Sequence, residues 1–418
     1  QANALKGYHG VDSGLNNLLK NTGLMAVKNN AGQINIKIDN AYLLQKQKQK
    51  LAQTHSSTSK QKLSPPALTQ TTKPEVEKIS IIGSRIAGRS VSDLPVPVDI
   101  LSAQALMNTG HTEVGRMLQA IAPSFNFSSS AISDGTDALR PATLRGLGPD
   151  QTLVLVNGKR RHQASLIHIN TSVGRGTAGT DLNAIPAASI KRIEVLRDGA
   201  SVQYGSDAIA GVINIVLKDD NEGGNVALSY GEYTQGDGET INLNLSKAFS
   251  LGNSGYLNTS ANFRDRGFTN RSGLHGSCQF SPCTELAKDT FLLGDPREAT
   301  APRTTFRIGD AYSQQFALTM NAGYQLGDGE LYGFITYSER ENESATFFRH
   351  NANIEGNSPL QDGDATIPEG FLPKLNSNID DVSYNLGYQR SLFNSTNLDV
   401  SFTYGQNNID YVTKDTIN

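Results

Sequence analysis

Charged side chains are concentrated in the stretch IKRIEVLRDGAS, which begins at Ile190 and contains Glu194, Arg197 and Asp198. Glu194 and Asp198 are a candidate carboxylate pair. Glycoside hydrolysis needs two carboxylates that flank a substrate cleft, and nothing in the sequence locates such a cleft. Ion pairing is the other chemistry open to Glu194 and Arg197, and it suits a contact between two parts of a protein. We therefore predict an electrostatic role for this stretch and no enzymatic one.

A second basic stretch, GKRRHQASLIHI, follows a strand-like run and contains Arg160, Arg161, His162 and His168. Guanidinium groups suit carboxylate or phosphate groups on a ligand. Two hypotheses stay open for these four residues, contact with a small-molecule or metal-chelate substrate and an ordinary solvated basic loop. Because the two histidines lack nearby acids or thiols, we predict no metal site and no cofactor.

The elements around these stretches form a mixed α and β region from about residue 75 to 222. The runs IEVL and GVINIVL are strand-like and are separated by small residues that permit tight turns. We expect the two runs to pair in one sheet. The run TEVGRMLQAI has the period of an amphipathic helix, which Pro123 ends.

From about residue 224 to the end, apolar and polar side chains alternate strictly. An example is the apolar set Leu398, Val400, Phe402 and Tyr404, which alternates with Asn397, Asp399, Ser401 and Thr403. Such strands of about ten residues cross a bilayer when tilted, and short turns alternate here with long polar connections, as in outer-membrane barrels. About seven strands are present, too few to close a single-chain bacterial barrel. A soluble β-sandwich is the alternative.

The composition argues against some classes of protein, and the cysteines indicate a compartment. The chain has 418 residues, 37% of them hydrophobic, and a net charge of −3, which argues against a nucleic-acid binder. No window has the run of about twenty apolar residues that a spanning helix needs. The two cysteines, Cys278 and Cys283 in SCQFSPC, predict a small disulfide in an oxidising compartment.

The first part of the chain differs in kind. Residues 1–38 have the pattern of a helix and a hairpin, which predicts a small α+β unit. Residues 39–75 are rich in Gln, Lys, Ser, Thr and Pro, which predicts a flexible linker. We expect the chain to be a mature product or a fragment.

The motifs together resemble one family. TLRGLGPDQTLVLVNGKR, followed by IPAASIKRIEVLRDGASVQYGSDAIAGVINIVLK, resembles the plug domain of TonB-dependent outer-membrane transporters. VEKISIIGSR resembles the TonB box that precedes the plug, and the first forty residues resemble the later half of the secretin/TonB short N-terminal domain. The resemblance implies an α+β plug domain followed by an incomplete antiparallel transmembrane β-barrel. The implied domains are a partial N-terminal domain at 1–38, the linker at 39–75, the TonB box at 76–83, the plug at 84–222 and the first barrel strands at 223–418.

The resemblance also implies residue roles. The box residues that would bind TonB are Glu77, Lys78, Ile79, Ser80, Ile81 and Ile82. A short strand after a flexible tether is what addition to a partner's sheet edge requires. The alternative is that ISII is simply the first strand of the plug. By resemblance, Arg145, Glu194 and Arg197 hold the plug against the barrel, with a solvated charged edge as the alternative. By the same resemblance, loops at the plug apex contact the substrate.

The implied function is active transport across the bacterial outer membrane, with the plug gating the barrel. The partners would be TonB with its inner-membrane energising complex, a scarce substrate and outer-membrane lipid. The substrate would be a ferric siderophore, haem, cobalamin or an oligosaccharide, among which the fold does not decide. One alternative is a barrel-anchored adhesin or enzyme of the outer membrane. Another is a transporter that also signals through its N-terminal domain to an inner-membrane anti-sigma regulator.

Overall fold

Two sheets make up most of the described structure. The computed structural model describes residues 19–20, 24–28, 34–38, 98–170, 172–197, 201–275, 280, 283–287, 290–293, 296–301, 303–349, 367, 370–392 and 396–416. The first sheet has five strands and belongs to an α+β domain, which we call the inner domain (residues 98–217). The second has seven antiparallel strands, and we call it the wall (residues 224–416 with their connections).

The inner domain is built on five strands and three helices. The strands are β3 (Val98–Ser102), β6 (Thr152–Val156), β7 (Lys159–Arg160), β8 (Ile190–Leu196) and β9 (Gly211–Leu217), in the order β3-β8-β9-β6-β7. The helices are α1 (Ala103–Met107), α2 (Val114–Ile121) and α3 (Ser201–Tyr204). A separate two-stranded sheet pairs β4 (Phe125–Phe127) with β5 (Ala142–Leu144).

Local sequence explains the core of this domain. Strands β8 and β9 pair antiparallel with Ile193 opposite Ile215, so the two apolar runs of the sequence are partners, as predicted. Strand β9 is buried on both faces, which matches its nearly continuous apolar run. Strand β8 is buried from Ile193 to Leu196, whereas Lys191 and Arg192 are partly exposed. Helix α2 buries Met117 and Leu118 against the sheet and ends at Ile121, with Ala122 as its C-cap directly before Pro123.

The wall is a meander in which each strand pairs with the next one along the chain. Its strands are β10 (Gly224–Gly231), β11 (Thr240–Ser250), β12 (Gly255–Arg266), β15 (Tyr312–Leu326), β16 (Gly329–Ala345), β17 (Lys374–Leu392) and β18 (Thr396–Lys414). A two-stranded hairpin of β13 (Cys283–Ala287) and β14 (Thr290–Leu293) interrupts the connection from β12 to β15. The prediction of a seven-stranded antiparallel sheet is confirmed.

The two faces of the wall are inverted relative to those of a soluble sheet. On the strands that face the inner domain the polar side chains are buried, with Thr336 at 0% and Ser338 at 1% exposure, whereas most side chains of the edge strand β18 are exposed. The apolar side chains face outward, with Ile335 at 47% and Leu386 at 59% exposure. This arrangement places the inner domain against a polar surface and leaves the apolar surface outside.

Among the described residues, no helix combines the length and the apolar character needed to cross a membrane.

Several predictions fall outside the described residues. They are the TonB box from Glu77 to Ile82, the linker and Cys278. The backbone of Cys283 lies in β13, but its side chain is not described. In the N-terminal part, β1 (Leu24–Lys28) pairs antiparallel with β2 (Ile34–Ile38), which is the predicted hairpin.

We expect Gly115→Ala to lower the melting temperature of the protein. An added Cβ on Gly115 would lie 2.5 Å from ring atoms of Phe127. Overpacking costs about 1–3 kcal/mol, more than the gain of about 1 kcal/mol in helix propensity. Thermal unfolding of the purified protein measures the shift. Gln119→Ala, at an exposed position of the same helix, is the matched control and should change little. A higher melting temperature for Gly115→Ala would contradict the described packing.

Candidate functional site

The inner domain meets the wall through a buried network of charges, which we call the Glu113 network. The Glu113 carboxylate lies 2.7 Å from Nη1 of Arg266 and 2.8 Å from Nε of Arg116. Its other oxygen accepts a hydrogen bond of 3.1 Å from Asn183 Nδ2 and lies 3.7 Å from Nη1 of Arg264. Arg264 and Arg266 belong to wall strand β12, whereas Glu113 immediately precedes helix α2. One carboxylate therefore joins two wall arginines to the inner domain.

Asp310 and Asp181 extend the network on either side. Asp310, in the connection before β15, accepts from Arg116 and, at 2.8 Å, from Nη2 of Arg140. Asp181 holds Arg340 of wall strand β16 through both carboxylate oxygens, at 2.7 and 3.4 Å. The side chains of Asp181 and Arg340 are 5% and 2% exposed, so this pair is shielded from water. Carboxylates of the inner domain therefore pair with arginines of the wall, and arginines of the inner domain pair with a carboxylate in a connection of the wall.

The electrostatic balance stabilises the ionised form of Glu113. Burial on its own would raise the pKa of the Glu113 carboxyl, but Arg266 and Arg264 outweigh it and hold the pKa well below its usual range. Burial likewise opposes ionisation of Asp310, and the charges of Arg266 and Arg116 again lower its pKa. Both groups are carboxylates at neutral pH, so the network consists of charged partners.

A second contact, which we call the Asp381 network, lies on strands β17 and β18. Arg161 donates to Oδ1 of Asp381 and, at 2.6 Å, to Thr336 Oγ1 on β16. His162 Nε2 lies 2.9 Å from the other oxygen of Asp381, which also accepts from Asn407 Nδ2 at 2.9 Å. The side chains of Arg161 and Asp381 are 1% and 2% exposed. This network anchors the loop after β7 to the wall.

Further contacts lie where the connections between wall strands are short. Lys159 Nζ lies 2.8 Å from Asp399 Oδ2, and Asn157 Nδ2 donates to Asn321 Oδ1 at 3.0 Å. Lys159 also lies 5.2 Å from the ring centroid of Tyr332. The inner domain is thus held along much of the length of the wall strands.

Comparisons with known proteins identify this arrangement. Residues 90–212 match the family model of the TonB-dependent receptor plug domain. The inner domain is a TonB-dependent receptor plug. The chain is an outer-membrane protein, and its plug is followed by seven antiparallel strands.

Relatives of the chain are receptors and transporters by name. The ferric enterobactin receptor PirA of Pseudomonas aeruginosa is 34% identical over 153 residues, which is 36% of this chain and 20% of that protein. The vitamin B12 transporter BtuB of Vibrio vulnificus is 35% identical over 124 residues, 29% of this chain and 18% of that protein. The siderophore receptor PiuA of Acinetobacter baumannii is similar at a TM-score of 0.45 and 12% identity, over 78% of this chain and 48% of that structure. The matched part therefore spans a fifth or less of the curated relatives described here.

The residues predicted to hold the plug against the barrel make contacts inside the plug. Glu194 is fully buried, with Arg192 Nε at 2.8 Å and Asn214 Nδ2 at 3.0 Å. Arg197 binds Asp99 through two nitrogens, at 2.7 and 2.8 Å. Arg145, in a left-handed conformation at φ 56°, donates to the carbonyl oxygen of Arg197 at 3.3 Å. Their contact with the barrel stays a prediction.

The basic loop is divided by the structure. Arg161 and His162 face the wall in the Asp381 network, and Arg160 pairs with Asp207 of the plug. His168 is fully buried, with Nδ1 3.2 Å from Thr136 Oγ1, and burial lowers its pKa. The four residues do not converge on one surface, and their role in substrate binding stays a prediction.

Sequence reasoning missed the residues of the Glu113 network. Glu113 was interpreted only as part of a helix, and Asp181 lies in an irregular segment. A signal was present in the wall, because Arg264, Arg266 and Arg340 fall in phase with the buried polar face of their strands. Arginines on that face predict carboxylates opposite them, but not which ones.

We expect Glu113→Gln to destabilise the docking of the plug. The variant keeps the shape of the side chain but leaves Arg264 and Arg266 without their shared anion. Removing one partner of a buried ion pair costs about 3–5 kcal/mol. Hydrogen exchange of helix α2 in the purified protein measures the loss. Glu232→Gln, at an exposed position after β10, is the control, and equal exchange in the two variants would contradict the network.

The pH dependence follows from the lowered pKa of Glu113. Because the folded pKa lies below the unfolded one, which is about 4.3, the stabilisation is complete above that value. It is lost as the pH falls through the folded pKa. The stability difference between wild type and Glu113→Gln should therefore be constant from neutral pH to about 5 and shrink below about 4. Denaturant unfolding across this range tests it, and a difference that already shrinks above pH 6 would refute it.

Proposed function

We propose that this chain acts in TonB-dependent active transport of a scarce substrate across the outer membrane. In this proposal the plug closes the path along the inner face of the wall, and energy supplied from the periplasm rearranges the plug. The observation that carries the proposal is the docking of the plug onto the polar face of the wall through the Glu113 and Asp381 networks. The rearrangement is conformational and needs no bond-making step.

The chemistry of these contacts suits a gate. A polar interface that is satisfied by ion pairs can be separated and hydrated, whereas an apolar interface of equal area gains its stability from the exclusion of water. Buried ion pairs also define a geometry without adding much net stability, because desolvation offsets most of the attraction. A plug held in this way keeps one closed position and can still be released by work.

The proposed site of engagement is the TonB box from Glu77 to Ile82. A short strand on a flexible tether can add to the sheet edge of a partner. The partner would be TonB with its inner-membrane energising complex. Among the described strands of the plug, β3 comes first after the box in the chain, and it lies at the edge of the five-stranded sheet. Tension on the box would therefore reach this edge strand before the other described strands.

For the substrate we propose a ferric siderophore, with haem, cobalamin and oligosaccharides as the other candidates. The names of the relatives support this order, because they include ferric enterobactin receptors as well as a vitamin B12 transporter. The outward apolar face of the wall supports contact with outer-membrane lipid.

We expect deletion of residues 77–82 to abolish uptake of the substrate while its binding at the cell surface continues. The deletion removes the segment on which TonB would act and leaves the plug and the wall intact. The measurement is uptake of a panel of labelled ferric siderophores, haem, cobalamin and oligosaccharides by cells that carry the full-length receptor.

The matched control deletes six residues of the linker, 55–60, and keeps the box. It should retain uptake, because a flexible tether tolerates a change of length. If both deletions leave uptake of the whole panel unchanged, the box has no energising role and the proposal fails.

A further inference from the structure

The imidazole of His162 fits into a gap that Gly405 leaves in the wall. A Cβ added to Gly405 would lie 2.1 Å from Nδ1, 2.6 Å from Cγ and 3.0 Å from Cβ of His162. A rotamer change of His162 would relieve the overlaps with Nδ1 and Cγ, but it would break the hydrogen bond to Asp381. The contact with Cβ of His162 would remain, so residue 162 would also have to shift slightly away from β18.

One hydrogen bond fixes the orientation of the ring in this gap. Nε2 of His162 points to Asp381, whose two oxygens also accept from Arg161 and Asn407. The opposite nitrogen, Nδ1, is buried and has no hydrogen-bond partner among the described residues. The ring is therefore placed by one hydrogen bond on one side and by close packing on the other.

The segment that follows His162 runs along the wall toward the end that carries the long connections. Ser165 donates to Asn407 Oδ1 through both its backbone nitrogen and its hydroxyl group, each at 2.8 Å. Leu166 packs in a cluster with Ile379 and Ile409, which lie nearer the end of the wall where the long connections are. Burial alternates along this segment.

Alternation leaves two large apolar side chains on its free face. Ile167 is 57% exposed and Ile169 is 46% exposed, whereas Leu166 and His168 are buried. The segment is held against the wall at His162 and Ser165, and backbone hydrogen bonds of Ala164 and His168 hold it to the plug. The position of Ile167 and Ile169 along the wall therefore depends on residue 162 together with these contacts.

We propose that His162 is a positioning residue. Its fit into the gap at Gly405 and its hydrogen bond to the carboxylate of Asp381 set the position, along the wall, of the apolar face formed by Ile167 and Ile169. This inference rests on the proposed function, and it adds to it that the substrate arrives from the end of the wall with the long connections, near which this face lies. It assigns to His162 an indirect role in place of direct contact with the substrate. It also assigns to Gly405 a steric role on the wall.

The test compares Gly405→Ala in two backgrounds. In the full-length receptor we expect Gly405→Ala to speed hydrogen exchange of residues 161–168 by about ten-fold, since it displaces the His162 hydrogen bond. In the His162→Ala background the same substitution should have little further effect, because the overlaps with Nδ1 and Cγ are gone. Equal effects in both backgrounds would overturn the proposal.

Gly387→Ala is the matched control. An added Cβ on Gly387 would lie 2.4 Å from the Tyr332 ring and hydroxyl group, so its clash lies within the wall. Its effect should be the same with and without His162. Any rescue of Gly387→Ala by His162→Ala would show that the suppression is unspecific and would also overturn the proposal.

A conservative variant gives a second, independent measurement. His162→Gln can still donate to Asp381, whereas His162→Ala cannot. We expect His162→Gln to keep the wild-type labelling rate of an Ile169→Cys probe by a membrane-impermeant maleimide on intact cells, and His162→Ala to change it several-fold. Wild-type labelling in His162→Ala would refute the positioning role. Labelling does not depend on energised uptake, so a failure of the positioning role and a failure of the proposed transport function can be told apart.

Discussion

The need to satisfy a buried polar surface governs this structure. The wall turns its asparagine, serine, threonine and arginine side chains inward and its apolar side chains outward. Where the plug covers this face, a buried donor or acceptor without a partner costs about 1–3 kcal/mol, so the covered face needs a polar partner. The plug supplies one, through Glu113, Asp181 and Arg161. The polar groups of the plug and of the inner face therefore have to match where the two surfaces meet.

The same constraint explains why charges rather than apolar contacts dominate the interface. Arg264, Arg266 and Arg340 lie on wall strands, and each has a carboxylate of the plug within reach. Such pairs specify one position of the plug relative to the wall, because any shift would leave a buried charge without its partner. They contribute less net stability than their number suggests, because both partners are desolvated. An interface of this kind combines a defined closed state with the capacity to open.

Steric fit adds to the electrostatic definition. Gly405 and His162 meet so closely that a side chain at position 405 would overlap the imidazole in its present position. Protein interiors are close-packed, so such a fit transmits a small shift to the segment that follows. Position along the wall is therefore set by shape at one point and by charge at several others.

The sequence by itself determined the elements and their faces. A period of two defines a strand and its two faces whatever the strand packs against, which is why the seven wall strands and the β8–β9 pair were predicted correctly. The partners of the charged residues were decided only by the tertiary structure. Glu113 and Arg266 are 153 residues apart, and Arg161 and Asp381 are 220 apart. No local pattern encodes such pairs, because their meeting depends on how the whole plug sits against the wall. For that reason the sequence showed Arg161 and His162 only as part of a basic loop, and it left substrate contact and a solvated loop open. The structure adds their contact with the wall, and their role in substrate binding stays a prediction. For the same reason Glu113 was overlooked in a helix.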